Sequence, residues 1–82
     1  MRLDKFLKVS RILKRRTVAQ DAANGGKVDV NGRPAKPACQ LKVGDLVRVH
    51  FATADLTFRV KMLKETVKKD EAADMYEIVI DE

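Results

Sequence analysis

The feature that most restricts the fold is a change of hydrophobic period at Gly25-Gly26. Before the two glycines apolar residues recur at helical spacing, and after them they alternate. From Leu3 to Leu13 the residues Leu3, Phe6, Leu7 and Leu13, with Val9 and Ser10 nearby, form one stripe, which predicts a helix with a core-facing side. At about 100° per residue, Lys5, Lys8, Arg11 and Arg15 share the opposite side if the helix extends that far. A second helix is expected over Thr17 to Asn24, offering Val18, Ala19, Ala22 and Ala23 for close packing. The glycines end it, because glycine accepts the left-handed conformation used at helix C-termini.

Beyond the glycines, Lys27-Val28-Asp29-Val30 alternates as a half-buried strand does, and Asn31-Gly32 is a two-residue hairpin signal. A return strand near Arg33-Pro34-Ala35 must be short or at an edge, since Pro34 and Pro37 cannot donate to a ladder. Val43-Gly44-Asp45 predicts a turn. Leu46 to Phe51 predicts a strand with Val47, Val49 and Phe51 on one face and Arg48 and His50 on the other. A further strand is expected over Leu56 to Leu63. Residues 68–74 have helix-favouring composition, and Tyr76, Ile78 and Ile80 alternate like a last strand. The expected fold is α+β, with two N-terminal helices packed on a small, mostly antiparallel sheet, then a short C-terminal helix and strand.

With 82 residues the chain is expected to form one domain with a small core. One cysteine, Cys39, cannot form an internal disulfide, and with a single His50 it cannot supply the four ligands of a structural zinc site. The start, Met1-Arg2-Leu3-Asp4-Lys5, lacks the apolar stretch of a signal peptide. No window approaches the roughly 20 apolar residues of a membrane span, so a cytoplasmic protein without a membrane partner is expected.

The charges are unevenly distributed. The whole chain is formally +5, but residues 1–48 hold 12 basic and 4 acidic residues, a net +8, whereas residues 49–82 are net −3. Such polarity suits a polyanion held on one face, and nucleic acid is the leading candidate. Seven basic residues lie within the first sixteen positions (Arg2, Lys5, Lys8, Arg11, Lys14, Arg15 and Arg16) against Asp4 alone. Four of them are arginine, whose planar fork matches phosphate oxygens. A charge run is more often a solvated face. Here the recurrence on one helix side and the displacement of the acids favour phosphate binding.

Parts for catalysis are scarce. Ser10, the only serine, falls on the apolar helix stripe and reads as a packing residue, and His50 reads as a solvent-facing strand residue. Asp4 and Asp29 have basic neighbours and read as local charge partners. The glycine pairs lack the spacing of a dinucleotide or P-loop site. No enzyme activity, cofactor or metal is expected. Phe6, Phe51, Phe58 and Tyr76 sit at core periodicity, and the core reading is favoured for at least three of them, so recognition should rest on shape and phosphate rather than on stacked bases.

Taken in order, Arg2-Leu3-Asp4-Lys5-Phe6-Leu7, Arg16 with Ala19 three residues on, Gly26-x-Val28-x-Val30-Asn31-Gly32 and Gly44-Asp45-x-Val47-x-Val49 resemble the S-four-type RNA-binding domain, or alpha-L motif, across residues 2–49. One departure is Arg15, where many members place a serine that can cap the second helix. The resemblance implies a two-helix face on a twisted sheet that docks on structured RNA. Because the chain is almost nothing but this domain, it argues against a pseudouridine synthase or tRNA synthetase.

The chain as a whole, including the tail from Lys68 to Tyr76, is similar to stand-alone bacterial members of ribosome-associated quality control. These are related to the heat-shock protein that handles obstructed large subunits. That likeness implies binding to the large ribosomal subunit, contacts with 23S rRNA and peptidyl-tRNA, and support of RqcH in C-terminal alanine tailing. Arg2, Asp4 and Arg16 match the family's RNA-binding positions, with the two arginines gripping phosphate and Asp4 orienting an arginine. The expected face comprises Arg2, Lys5, Lys8, Arg11, Arg15 and Arg16. The expected organisation is an RNA-binding domain over 1–64 and an acidic extension over 65–82, in a monomer. The alternatives are a general RNA or DNA chaperone and a protein adaptor acting through the acidic tail.

Overall fold

The computed structural model describes residues 1–80 and turns the period change into two layers, a helical pair on one face of a sheet. Asp81 and Glu82, the end of the expected extension, lie outside the described residues. Helix α1 spans Leu3–Val9 and α2 spans Arg16–Asn24. The strands are β1 Val28–Val30, β2 Arg33–Pro34, β3 Leu46–His50, β4 Asp55–Val60 and β5 Tyr76–Ile78, with one turn of 3-10 helix over Ala72–Met75. All pairings are antiparallel, in the order β2-β1-β3-β4-β5.

Local chemistry places most boundaries. The first N–H groups of a helix have no intrahelical partner. In α1 two of them bond to a loop instead, Leu3 N–H to the Cys39 carbonyl at 2.8 Å and Asp4 N–H to the Pro37 carbonyl at 3.2 Å. Helix α2 ends in paired bonds, Gly26 N–H to Ala23 O and Lys27 N–H to Ala22 O, with Gly26 at φ +73°. Asn31 and Gly32 both have positive φ, as the two-residue β1–β2 hairpin requires. The Asn31 side chain accepts from Leu46 N–H and donates to Asp45, which ties that hairpin to the turn entering β3.

Several expectations need correction. Helix α1 stops at Val9 instead of reaching Leu13, because Arg11 adopts φ +63° and its N–H returns to Lys8 O. Leu13 N–H then reaches back to Leu7 O, which keeps Leu13 against the core without a helix. Helix α2 begins at Arg16, one residue early. Strand β3 ends at His50, leaving Phe51 exposed at the β3–β4 connection, and β4 covers 55–60 rather than 56–63. The segment 68–74 is a turn followed by a single 3-10 turn. Ala72 and, just beyond it, Met75 are its buried residues among those described, which is too little burial to nucleate a longer helix. The last strand is shorter than 76–80, and Ile78 and Ile80 are exposed.

The core lies between the helices and the inner sheet face. Leu3, Phe6 and Leu7 of α1 and Ala19 and Ala23 of α2 pack on Val28, Val47, Val49, Phe58 and Val60. Phe6 stacks on Phe58 at 5.9 Å between ring centres, and Tyr76 meets Phe58 edge-on at 5.5 Å. Such pairs add about 0.5–1.5 kcal/mol beyond area burial. Met75 is fully buried in the same core, so the segment before β5 packs with the N-terminal elements. Ser10 is buried with its hydroxyl on Leu7 O, in keeping with a packing role.

Candidate nucleic-acid interface

Asp4 organises the cationic face from below. It stands in the first turn of α1 and is completely buried, an unusual place for a carboxylate unless it is paired. Arg2, just before the helix, donates to it twice, from Nε to Oδ1 and from Nη2 to Oδ2, each at 3.2 Å. Gln20 of α2 donates Nε2–H to Oδ2 at 2.9 Å, and the Lys5 backbone N–H donates to Oδ1 at 2.7 Å. Arg16, the first residue of α2, puts its Nε 3.2 Å from Oδ2, outside hydrogen-bond geometry, so that contact is an ion pair. Burial pushes the Asp4 carboxyl up, but the Gln20 amide, the Arg16 guanidinium and the Lys5 N–H together outweigh it and hold the group below its ordinary value.

One buried charge therefore joins α1 to α2 and fixes two arginines whose side chains remain 44% and 42% exposed. Nη1 of Arg2 and both terminal nitrogens of Arg16 have no protein partner among the described residues. The hub is net +1, with forked donors aimed outward, which is the arrangement phosphate oxygens accept.

The other expected residues separate into groups. Lys5 is half-buried and paired with Glu65, which lies 60 residues away in the connection after β4. That contact holds the Glu65 carboxyl below its ordinary value. Lys8 and Arg11 do not continue a stripe with Arg15, because the helix has ended. Instead they line a cleft together with Lys14, which belongs to the basic run in sequence but not to the expected face. Arg15 is exposed at the N-terminus of α2 in extended conformation, without a side-chain cap. Sequence reasoning missed Gln20 and Glu65. Gln20 lies four residues after Arg16, one helical turn on, so the spacing could have pointed to it. Glu65 carries no local signal.

On the opposite sheet face His50 bridges Asp29 of β1 and Asp55 of β4, at 3.0 and 2.9 Å. Their side chains raise its pKa above the ordinary value. No helix among the described residues is long and apolar enough to cross a membrane.

The model of the family described as S4 domain matches residues 1–47. The RQC P-site tRNA stabilizing factor of Bacillus subtilis strain 168 is 50% identical over 82 residues, covering all of this chain and 95% of that protein. The factor of the same name from Streptococcus pneumoniae is 52% identical over 79 residues, covering 96% of this chain and 90% of that protein. Among solved structures, trimeric heat shock protein 15 of Vibrio cholerae superposes with a TM-score of 0.90 at 29% identity, covering 96% of this chain and 81% of that one. The solution structure of hypothetical protein HP1423 gives 0.85 at 28% identity, with both chains fully covered.

Proposed function

Since the chain belongs to the S4 domain family, in the branch of the RQC P-site tRNA stabilizing factors, we propose that it is a non-enzymatic RNA-binding factor of the large ribosomal subunit. It holds 23S rRNA and peptidyl-tRNA together, and so supports the C-terminal alanine tailing of stalled nascent chains with RqcH. The observation that carries this reading is the buried Asp4, which presents Arg2 and Arg16 side by side from two different elements. The hub ties α1 to α2, but tying two helices does not require both guanidinium groups to stay more than two-fifths exposed. It suits a backbone whose phosphates lie at fixed intervals, where pre-set donors lose little freedom on binding. Lys8, Arg11, Lys14 and Arg15 extend the positive field beside the hub. Lys5 is the expected contact with least charge to offer, since Glu65 holds it. The factor acts as a monomer in the cytoplasm and needs no cofactor.

Pelleting of purified large subunits carrying peptidyl-tRNA tests the reading. With about four to six cations on phosphate, log K should fall with log salt at a slope of roughly −3 to −5. Arg16→Ala should weaken binding roughly tenfold or more, the worth of a charge-assisted contact, and flatten the slope by nearly one unit. Lys69→Ala removes the same charge from an exposed loop and should do neither. Equal losses would reduce binding to net charge and favour a general chaperone, while a wild-type slope near zero would favour the protein adaptor.

A further inference from the structure

The cleft beside the Asp4 hub combines features that phosphate binding alone does not explain. It has a volume of about 280 Å³ and lies between the α1–α2 connection and the segment after β4. That is just below the roughly 300 Å³ at which pockets for drug-sized ligands begin, so it has room for one planar group rather than a stack. Lys8, Arg11 and Lys14 supply its positive rim. Val9, Leu13 and Val67 supply apolar surface, and all three also pack against the core, which makes that floor a fixed one. A phosphate needs the rim but not the floor.

The remaining polar side chain that matters is Glu65. A carboxylate beside three cations works against an anionic backbone, so a cleft built for phosphate alone would be better without it. Lys5 occupies its Oε2 and keeps it ionised, while Oε1 has no partner among the described residues. An ionised carboxylate only accepts hydrogen bonds. Of the four RNA bases, guanine alone offers two adjacent donors on its Watson–Crick edge, N1–H and the N2 amino group. Uracil offers one N–H between two carbonyl oxygens, which a carboxylate repels.

Resting on the RNA-binding reading above, we propose that this cleft takes a single unstacked guanine nucleotide of the bound RNA. Its base lies on Val9, Leu13 and Val67, its flanking phosphates lie on Lys8, Arg11 and Lys14, and Glu65 reads its Watson–Crick edge. RNA-binding proteins commonly gain sequence preference by splaying out one base in this way. With no aromatic ring in the cleft, the base is held by apolar contact and its edge rather than by stacking.

The test is a titration of the full chain with GMP, UMP and inorganic phosphate at millimolar concentration, read by NMR from the methyl groups of Val9, Leu13 and Val67. GMP should move all three saturably, UMP should bind roughly threefold to tenfold more weakly for want of the second donor, and phosphate should leave them in place. Glu65→Gln, an exposed substitution, should bring GMP and UMP to equal affinity. Methyls that ignore GMP, or that respond equally to phosphate, would overturn the slot, and equal binding of GMP and UMP by the wild type would overturn the role of Glu65. The parent reading fails separately. Loss of the slot with Arg16→Ala still impairing subunit binding refutes only the slot, whereas Arg16→Ala without effect refutes the subunit reading whatever GMP does.

Discussion

Asp4→Asn changes no shape and removes one charge, so its cost follows from the partners left behind. In the wild type two Arg2 N–H groups, the Gln20 amide and the Lys5 N–H donate to the carboxylate, with Arg16 paired at 3.2 Å. An asparagine offers one acceptor and turns an amino group toward those donors. Breaking a fully buried ion pair costs about 3–5 kcal/mol, and an exposed pair is worth about 0.2–1 kcal/mol. Here the acid is buried while both arginines are more than two-fifths exposed and recover water. An intermediate cost of about 2 kcal/mol follows, near that of a buried hydrogen bond to a charged group. For a domain of this size each kcal/mol moves Tm by roughly 4–8 °C, so thermal unfolding followed by circular dichroism should shift down by about 8–16 °C. The pH dependence gives a second reading. A carboxyl held below its ordinary 3.8 contributes stability that is present above that value and is lost as pH falls through the lower folded one. Asp4→Asn should lack this acid-side loss. A Tm change under about 3 °C, with acid unfolding unaltered, would refute the hub.

His50 has the opposite sign. Asp29 and Asp55 raise its pKa, so its contribution to stability is complete below the unfolded value near 6.5 and is lost as pH rises through the folded value. Urea midpoints measured from about pH 5 to pH 9 should therefore decline for the wild type and less so for His50→Gln; parallel curves would dismiss the bridge. Gly44→Ala should lower stability by about 1–2 kcal/mol, because φ is +96° there while a Cβ would meet no atom within 4 Å. A Tm unchanged to within a degree or two would show that the turn relaxes at no cost.

The fold was legible wherever a boundary is made by residues adjacent in sequence. Gly26 closes α2, Asn31-Gly32 makes the hairpin, and Gly44-Asp45 turns the chain into β3, each by backbone chemistry that the letters announce. It was illegible where the stop is an ordinary residue. Arg11 carries no such announcement, and Leu13 sustains the helical spacing because the chain curls back to Leu7 rather than winding on. Phe51 misleads similarly. It continues the alternation of Val47 and Val49 past the last ladder residue, but its N–H bonds to Ala54 O in the connection and its ring stays exposed.

The candidate site shows the limit of counting charges. By charge alone the seven cations near the start are equivalent and Asp4 is a subtraction from them, and only the family resemblance sets Arg2, Asp4 and Arg16 apart. In three dimensions Lys5 is paired off by a distant glutamate, Lys8, Arg11 and Lys14 turn to a cleft, and the subtraction does the organising. A free arginine forfeits up to about 2 kcal/mol of rotamer freedom when a ligand fixes it. Arg2 and Arg16 have lost much of that freedom on folding, because Asp4 already orients their Nε edges. Folding thus bears an ordering cost that each binding event would otherwise meet. It also explains why one buried acid can strengthen a site for an anion. The negative charge faces inward to the edges of two forks, and the outward edges, without a partner among the described residues, are what the proposed interface would offer a phosphate.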